Sequence, residues 1–125
     1  MNKTPTDIRL HKKSKLLAVV FSDKEFMLPC EYLRVHSPSA EVKGHGPGQE
    51  VLQIGKEDVN IVAIEPVGQY AVRLIFSDSH NSGIFSWDIL YELGEHRLTK
   101  WQDYLNRLQQ AGVKRKPQAN DSYLC

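Results

Sequence analysis

The sequence predicts an α+β fold: a mainly antiparallel sheet of about five or six strands with two C-terminal helices packed on it. Three observations predict it. Runs of strand length rich in Val, Ile, Leu and Phe recur between residues 6 and 85, as half-buried and buried strands require. Tight polar or glycine-containing turns join them, which favours hairpins over parallel crossovers. From Ser86 onward the apolar spacing becomes helical over two segments, so the helices follow the sheet.

Thr6 to Leu10 reads as a first strand, with Ile8 and Leu10 alternating against polar neighbours. Lys15 to Phe21 is continuously apolar after its first residue, the pattern of a strand covered on both faces. Ser22-Asp23-Lys24 supplies a turn and Glu25 to Leu28 returns as the partner strand. Pro29 suits the first position of a short helix that carries Cys30, Leu33 and Val35 inward and stops before Pro38. Residues 43–49 hold three glycines and a proline and read as a loop, with Glu50 to Ile54 as a short strand after it.

Asn60 to Ile64 and Tyr70 to Phe76 are the next two strands, turned by Pro66-Val67-Gly68; Ser77 to Asn81 turns the chain again into Gly83 to Phe85. Ser86 can cap a helix bearing Trp87, Leu90 and Tyr91, with Gly94 just past its end. A second helix starts at Thr99-Lys100-Trp101-Gln102, read as a capping box, and carries Trp101, Tyr104, Leu105 and Leu108 at helical spacing to a stop at Gly112. Residues 1–112 therefore form one domain. Residues 113–125 are polar and aperiodic, and are expected to be a disordered tail.

Composition excludes several classes. With 125 residues, 41% hydrophobic and 25% charged, the chain has the ordinary balance of one globular domain. A net charge of +1 provides no field to steer nucleic acid or an anionic membrane. Cys30 and Cys125 do not make a disulfide framework, and no apolar run approaches membrane-spanning length. The expected location is the cytoplasm.

Candidate binding residues are Gly44, His45, Gly46 and Gly48 of the glycine-rich loop, Asp78 and His80 of the polar turn, and Trp87. Glycine-rich backbone can cradle an anion, but no Lys-Ser or Lys-Thr follows as in a nucleotide-binding loop, and the glycines also serve turn geometry. Asp78 and His80 could cooperate in proton transfer, or Asp78 could bond its own turn. Cys30 reads as a packed thiol rather than a nucleophile. The aromatics Trp87, Tyr91, Trp101 and Tyr104 fit helix packing better than a cation cage. The basic trio Lys114-Arg115-Lys116 reads as a solvated tail. No histidine opens a His-x-Asp iron triad. No metal and no other cofactor is expected. The alternative is an iron or zinc site drawing on His80, His36, His45 and Cys30.

Three segments together resemble the gamma-butyrobetaine hydroxylase-like N-terminal domain family, in its stand-alone bacterial form. They are Leu33-Arg34-Val35-His36-Ser37-Pro38-Ser39-Ala40-Glu41-Val42, then Gly44-His45-Gly46-Pro47-Gly48, then Asp78-Ser79-His80-Asn81-Ser82-Gly83-Ile84-Phe85-Ser86-Trp87. The likeness extends from Ile8 to Gly94 and on to Leu108. In the dioxygenases such a domain precedes an iron and 2-oxoglutarate catalytic domain and carries a zinc site of three cysteines and one histidine. Carried over, the cysteine positions fall on Ser37, Ser39 and Val42, and the histidine on His80. The resemblance thus implies a scaffold that keeps one ligand of four. Fusions of such domains to iron–sulfur carrier ATPases imply an interaction module. The expectation is a non-catalytic binding or docking module whose partner is another protein. The alternative is a metal-binding accessory of iron or iron–sulfur metabolism.

Overall fold

The computed structural model describes residues 3–44, 46 and 48–124. The chain forms β1 (Asp7–His11), β2 (Leu16–Val20), β3 (Glu25–Pro29), α1 (Cys30–Val35), α2 (Ala40–Lys43), β4 (Ile61–Val67), β5 (Ala71–Phe76), β6 (Ile84–Ser86), α3 (Trp87–Glu95), α4 (Arg97–Gln110) and a terminal 3₁₀ helix, Ala119–Tyr123. The α+β class and the six strands match expectation. The single sheet does not: the strands form two three-stranded antiparallel sheets, β1-β2-β3 and β4-β5-β6. The chain leaves the first sheet at Pro29, which has no N–H to extend a ladder. The Cys30 N–H closes instead on the Lys15 carbonyl at 2.9 Å, and α1 begins.

Both sheets turn an apolar face to one core. Leu17, Val19, Phe26 and Leu28 come from the first sheet, and Ile61, Val72, Leu74, Phe76 and Phe85 from the second. Tyr32 and Leu33 of α1, Leu90 and Leu93 of α3, and Trp101, Tyr104 and Leu108 of α4 fill the same core. The alternation of Val72, Leu74 and Phe76 along β5 follows the period of two of a strand.

Several boundaries differ from the sequence reading. Glu50 to Ile54 is not a strand, although the Val51 N–H bonds the Val42 carbonyl at 2.8 Å. Gly94 lies inside α3 rather than past its end. A Cβ there would run into the Phe26 ring, so glycine lets α3 pack closely on β3. Helix α4 begins at Arg97, two residues before the expected box, and has no side-chain cap.

The largest correction concerns residues 113–124, expected to be a disordered tail. They pack on the body. The Arg115 guanidinium bonds the carboxylates of Glu31 and Asp121, each at 2.6 Å, and lies 4.7 Å from the Trp101 ring centroid. Asn120 Nδ2 donates to the carbonyls of Ser14 at 3.0 Å and Lys15 at 3.2 Å, and Leu124 is buried in the core. Polar composition concealed this segment because its anchors are ion pairs and one terminal leucine rather than an apolar period. It also accounts for the doubly apolar β2. Leu16 lines one surface depression with Gln118, Ala119, Asn120 and Tyr123. No helix among the described residues is long and apolar enough to cross a membrane.

Candidate functional site

The β5–β6 turn and the start of α2 meet to form a polar cluster, buried at His80 and Ser37 and open to solvent at Glu41. Ser39 is the N-cap of α2, its hydroxyl accepting from the Glu41 N–H at 3.2 Å. That cap fixes Glu41 on the first turn, beside His80. Across the gap, Ser79 takes a left-handed φ of 72°, and the Phe76 N–H bonds the His80 carbonyl at 2.9 Å. This tight turn swings the His80 ring inward, where its side chain is only 1% exposed.

Every ring nitrogen and hydroxyl in the cluster has a defined role. The Glu41 carboxylate can only accept, so His80 Nδ1–H donates to Glu41 Oε2 at 3.0 Å. The neutral ring then accepts at Nε2 from the Ser37 hydroxyl, also at 3.0 Å. Ser37 Oγ in turn accepts from the Ser39 N–H at 3.3 Å. The Ser82 hydroxyl donates to Glu41 Oε1 at 3.3 Å, which leaves Ser39 as the donor in the 2.7 Å Ser39–Ser82 contact. Burial, and then the nearby Arg34 charge, hold His80 below the usual imidazole range, against the pull of Glu41. Gly83 closes the cluster, since a Cβ at that position would collide with Ser37 Oγ.

Asp78 belongs to the turn and not to a proton relay. Its Oδ1 accepts the His80 backbone N–H at 3.2 Å. Its Oδ2 is shared by Arg34 Nε at 2.9 Å and Lys56 Nζ at 2.7 Å. These partners outweigh partial burial and hold its carboxyl below the usual range. The sequence reading did not count Arg34, Glu41, Lys56 or Ser82 among the candidate site residues. Arg34, Glu41 and Lys56 reach the turn from 22 to 44 residues away, whereas Ser82 belongs to the turn itself, and no local spacing announces the long-range contacts.

The remaining candidates lie elsewhere. Trp87 opens α3 at the far end of β5, with its Nε1–H on the Gln69 carbonyl at 2.7 Å. Gly44 is the C-cap of α2 with a φ of 74°, and a Cβ there would meet the Gln49 backbone. The Gly46 carbonyl accepts from the Gln49 N–H at 3.0 Å, and Gly48 has a φ of 79°. These glycines therefore serve turn geometry. His45 lies outside the described residues, as does Cys125.

Among the described residues, the alternative metal ligands His36, Cys30 and His80 are not assembled. His36 Nδ1–H donates to the Tyr32 carbonyl at 2.9 Å, Cys30 Sγ faces Asn60 Oδ1 at 3.6 Å, and His80 is held as above. Burial pushes the Cys30 thiol up to about 11, the state of a packed thiol. Among the described residues no three His, Cys, Asp or Glu side chains are placed to hold a metal ion. A zinc ion of the kind the family resemblance implies does not fit the donors here. Zinc takes thiolate or imidazole, whereas positions 37, 39 and 42 offer two hydrogen-bonded hydroxyls and an isopropyl group.

Comparison with known proteins places the chain in context. A family model described as gamma-butyrobetaine hydroxylase-like, N-terminal, matches residues 8–91. Two structures solved by NMR in solution are 50% and 46% identical, with TM-scores of 0.81 and 0.79. The first alignment covers 94% of this chain and 93% of the other; the second covers 93% and 87%. A crystal structure of a protein with unknown function of the DUF971 family, from Acidithiobacillus ferrooxidans, is 39% identical with a TM-score of 0.62. That alignment covers 73% of this chain and 92% of the other. No curated protein matches the chain.

Proposed function

The chain belongs to the gamma-butyrobetaine hydroxylase-like N-terminal family, and on that premise we propose that it is a non-catalytic docking module for another protein. In this reading the family's zinc ligands have given way to a hydrogen-bonded lock. The Ser37–His80–Glu41 chain supports the loss of zinc, because the ring has no nitrogen left for an ion or a substrate proton. The packed Cys30 thiol supports the absence of nucleophilic chemistry and suits the reducing cytoplasm.

The observation that carries the docking reading is the uncovered outer face of β4-β5-β6. Val62 and Ile84 are 50% and 47% exposed, and Tyr70, in the β4–β5 turn, is 71% exposed. Ile84 stands opposite Arg73, which pairs with Glu65 across the face. Apolar side chains around a fixed charge pair suit a protein surface better than a small molecule. Pro66 lies within edge strand β4 and discourages strand addition there, which favours the face as the contact.

The test compares wild type with a Val62→Asp/Ile84→Asp variant, each immobilised against extract of the source cell. A protein retained stoichiometrically by wild type and released by the variant is expected. Equal retention by both, or none by either, would sink the docking reading. Metal analysis of untagged protein tests the rest: stoichiometric zinc or iron that disappears in His80→Ala would overturn the loss of the metal site.

A further inference from the structure

A second feature, a cavity that shares Ser37 with the polar cluster, goes beyond docking. The cavity, of about 190 Å³, lies where the end of α1, α2, α3 and α4 converge. Its apolar lining comes from Val35, Val42, Val51 and Leu93. Five charged groups line it: Lys43, Lys100 and Arg107 against Glu50 and Glu92. Lys100 and Glu92 lie 3.8 Å apart and largely offset each other. Among the described residues neither Lys43 nor Arg107 has an acidic partner, so the lining carries one cation in excess.

His36 adds a directional group. Its Nδ1–H is committed to the Tyr32 carbonyl, so the neutral ring holds an unshared pair on Nε2. Burial keeps it neutral, lowering its pKa to about 4. Nε2 has no partner among the described residues, and no polar side-chain atom there is sealed away without one. The acceptor therefore opens onto the cavity that the ring lines.

We propose that this cavity binds a small carboxylate with an aliphatic body and a hydroxyl or amine hydrogen. Lys43 and Arg107 take the carboxylate, Val35, Val42 and Leu93 the body, and His36 Nε2 the donated hydrogen. The volume lies below the ~300–1,000 Å³ of drug-sized sites, which restricts the ligand to a short-chain metabolite. Few polar groups around an apolar floor is the usual composition of such sites. Nothing in this assignment depends on the sheet face, so either reading can fail without the other.

The experiment is an amide NMR titration of the full chain with hexanoate, 6-hydroxyhexanoate and hexylammonium. Saturable shifts at Val42, Val51 and Leu93 are expected with both carboxylates, at ~millimolar affinity for ligands this small. Hexylammonium should leave those amides unmoved. Lys43→Gln/Arg107→Gln should weaken hexanoate by roughly tenfold or more. Absence of saturation, an equal response to hexylammonium, or unchanged affinity in the double variant would overturn the site. A hydroxylated probe that binds no tighter than hexanoate would overturn the role of His36. The comparison of carboxylate with ammonium uses wild type alone, so it holds even if the double variant folds poorly.

Discussion

At the scale of single residues, His36 links folding to pH. Burial is the main cause of its depressed pKa of about 4, with Lys100 and Arg107 adding to it and the Tyr32 carbonyl opposing it. The unfolded chain, with an imidazole near the ordinary 6.5, takes up its proton first. Stability from this group is therefore whole above about pH 6.5 and falls by about 1.4 kcal/mol per pH unit toward pH 4. The total is about 3 kcal/mol. His36→Phe keeps a ring between Tyr32 and Tyr104 but removes the proton. Urea denaturation between pH 7 and 4.5 should give a lower plateau for the variant but a flatter slope, with His80 supplying the remainder. Parallel slopes would dismiss His36 as the source. The sequence reading expected no metal and named His36 only among the alternative ligands, because a histidine's type is visible and its burial is not. His80 was legible through its position in the family pattern. The same pattern put Ser37 beside it, 43 residues away, but its other partner Glu41, 39 residues away, is brought to it only by the folded chain.

At the scale of elements, the strands were the most legible because apolar runs bounded by turn residues are a local signal, and β2, β5 and β6 fall close to where those runs put them. What a local apolar run cannot express is which strands share a sheet, so the division at Pro29 was missed. The C-terminal segment was missed for a related reason, since its attachment is ionic. Arg115 and Glu31 are 10% and 4% exposed, and α1 is held to the segment through that pair. Replacing Arg115 with Met keeps much of the stacking surface over Trp101 but leaves the Glu31 carboxylate buried without its cation. Loss of about 3 kcal/mol is expected at pH 7, since an orphaned buried charge costs more than the pair contributes. Adding Glu31→Gln should recover part of it. Chemical denaturation of the single and double variants decides the matter: a single-variant loss under ~1 kcal/mol would show that the pair does not hold the segment.

At the scale of the whole molecule, two sheets that exchange no ladder hydrogen bonds must be joined by other means. The shared core is one. Asn60 is the polar counterpart, placed just before β4. Its Nδ2 donates to the Lys12 carbonyl of the β1–β2 turn at 3.0 Å, while its Oδ1 accepts from the Ile61 N–H at 2.9 Å and faces the Cys30 thiol at 3.6 Å. One side chain thus ties the first sheet, the start of α1 and the second sheet. If the two sheets unfold together, Cys30 becomes reactive only on global opening, because burial holds its thiol at about 11 in the native state. In a Cys125→Ser background, the equilibrium opening energy from iodoacetamide labelling of Cys30 should equal that from urea denaturation. Asn60→Ala should lower both equally, by about 1–3 kcal/mol, since it leaves buried groups short of partners. Labelling that outpaces global unfolding in wild type would mean that the sheets separate before they melt. The junction at Asn60 would then be a hinge rather than a bolt.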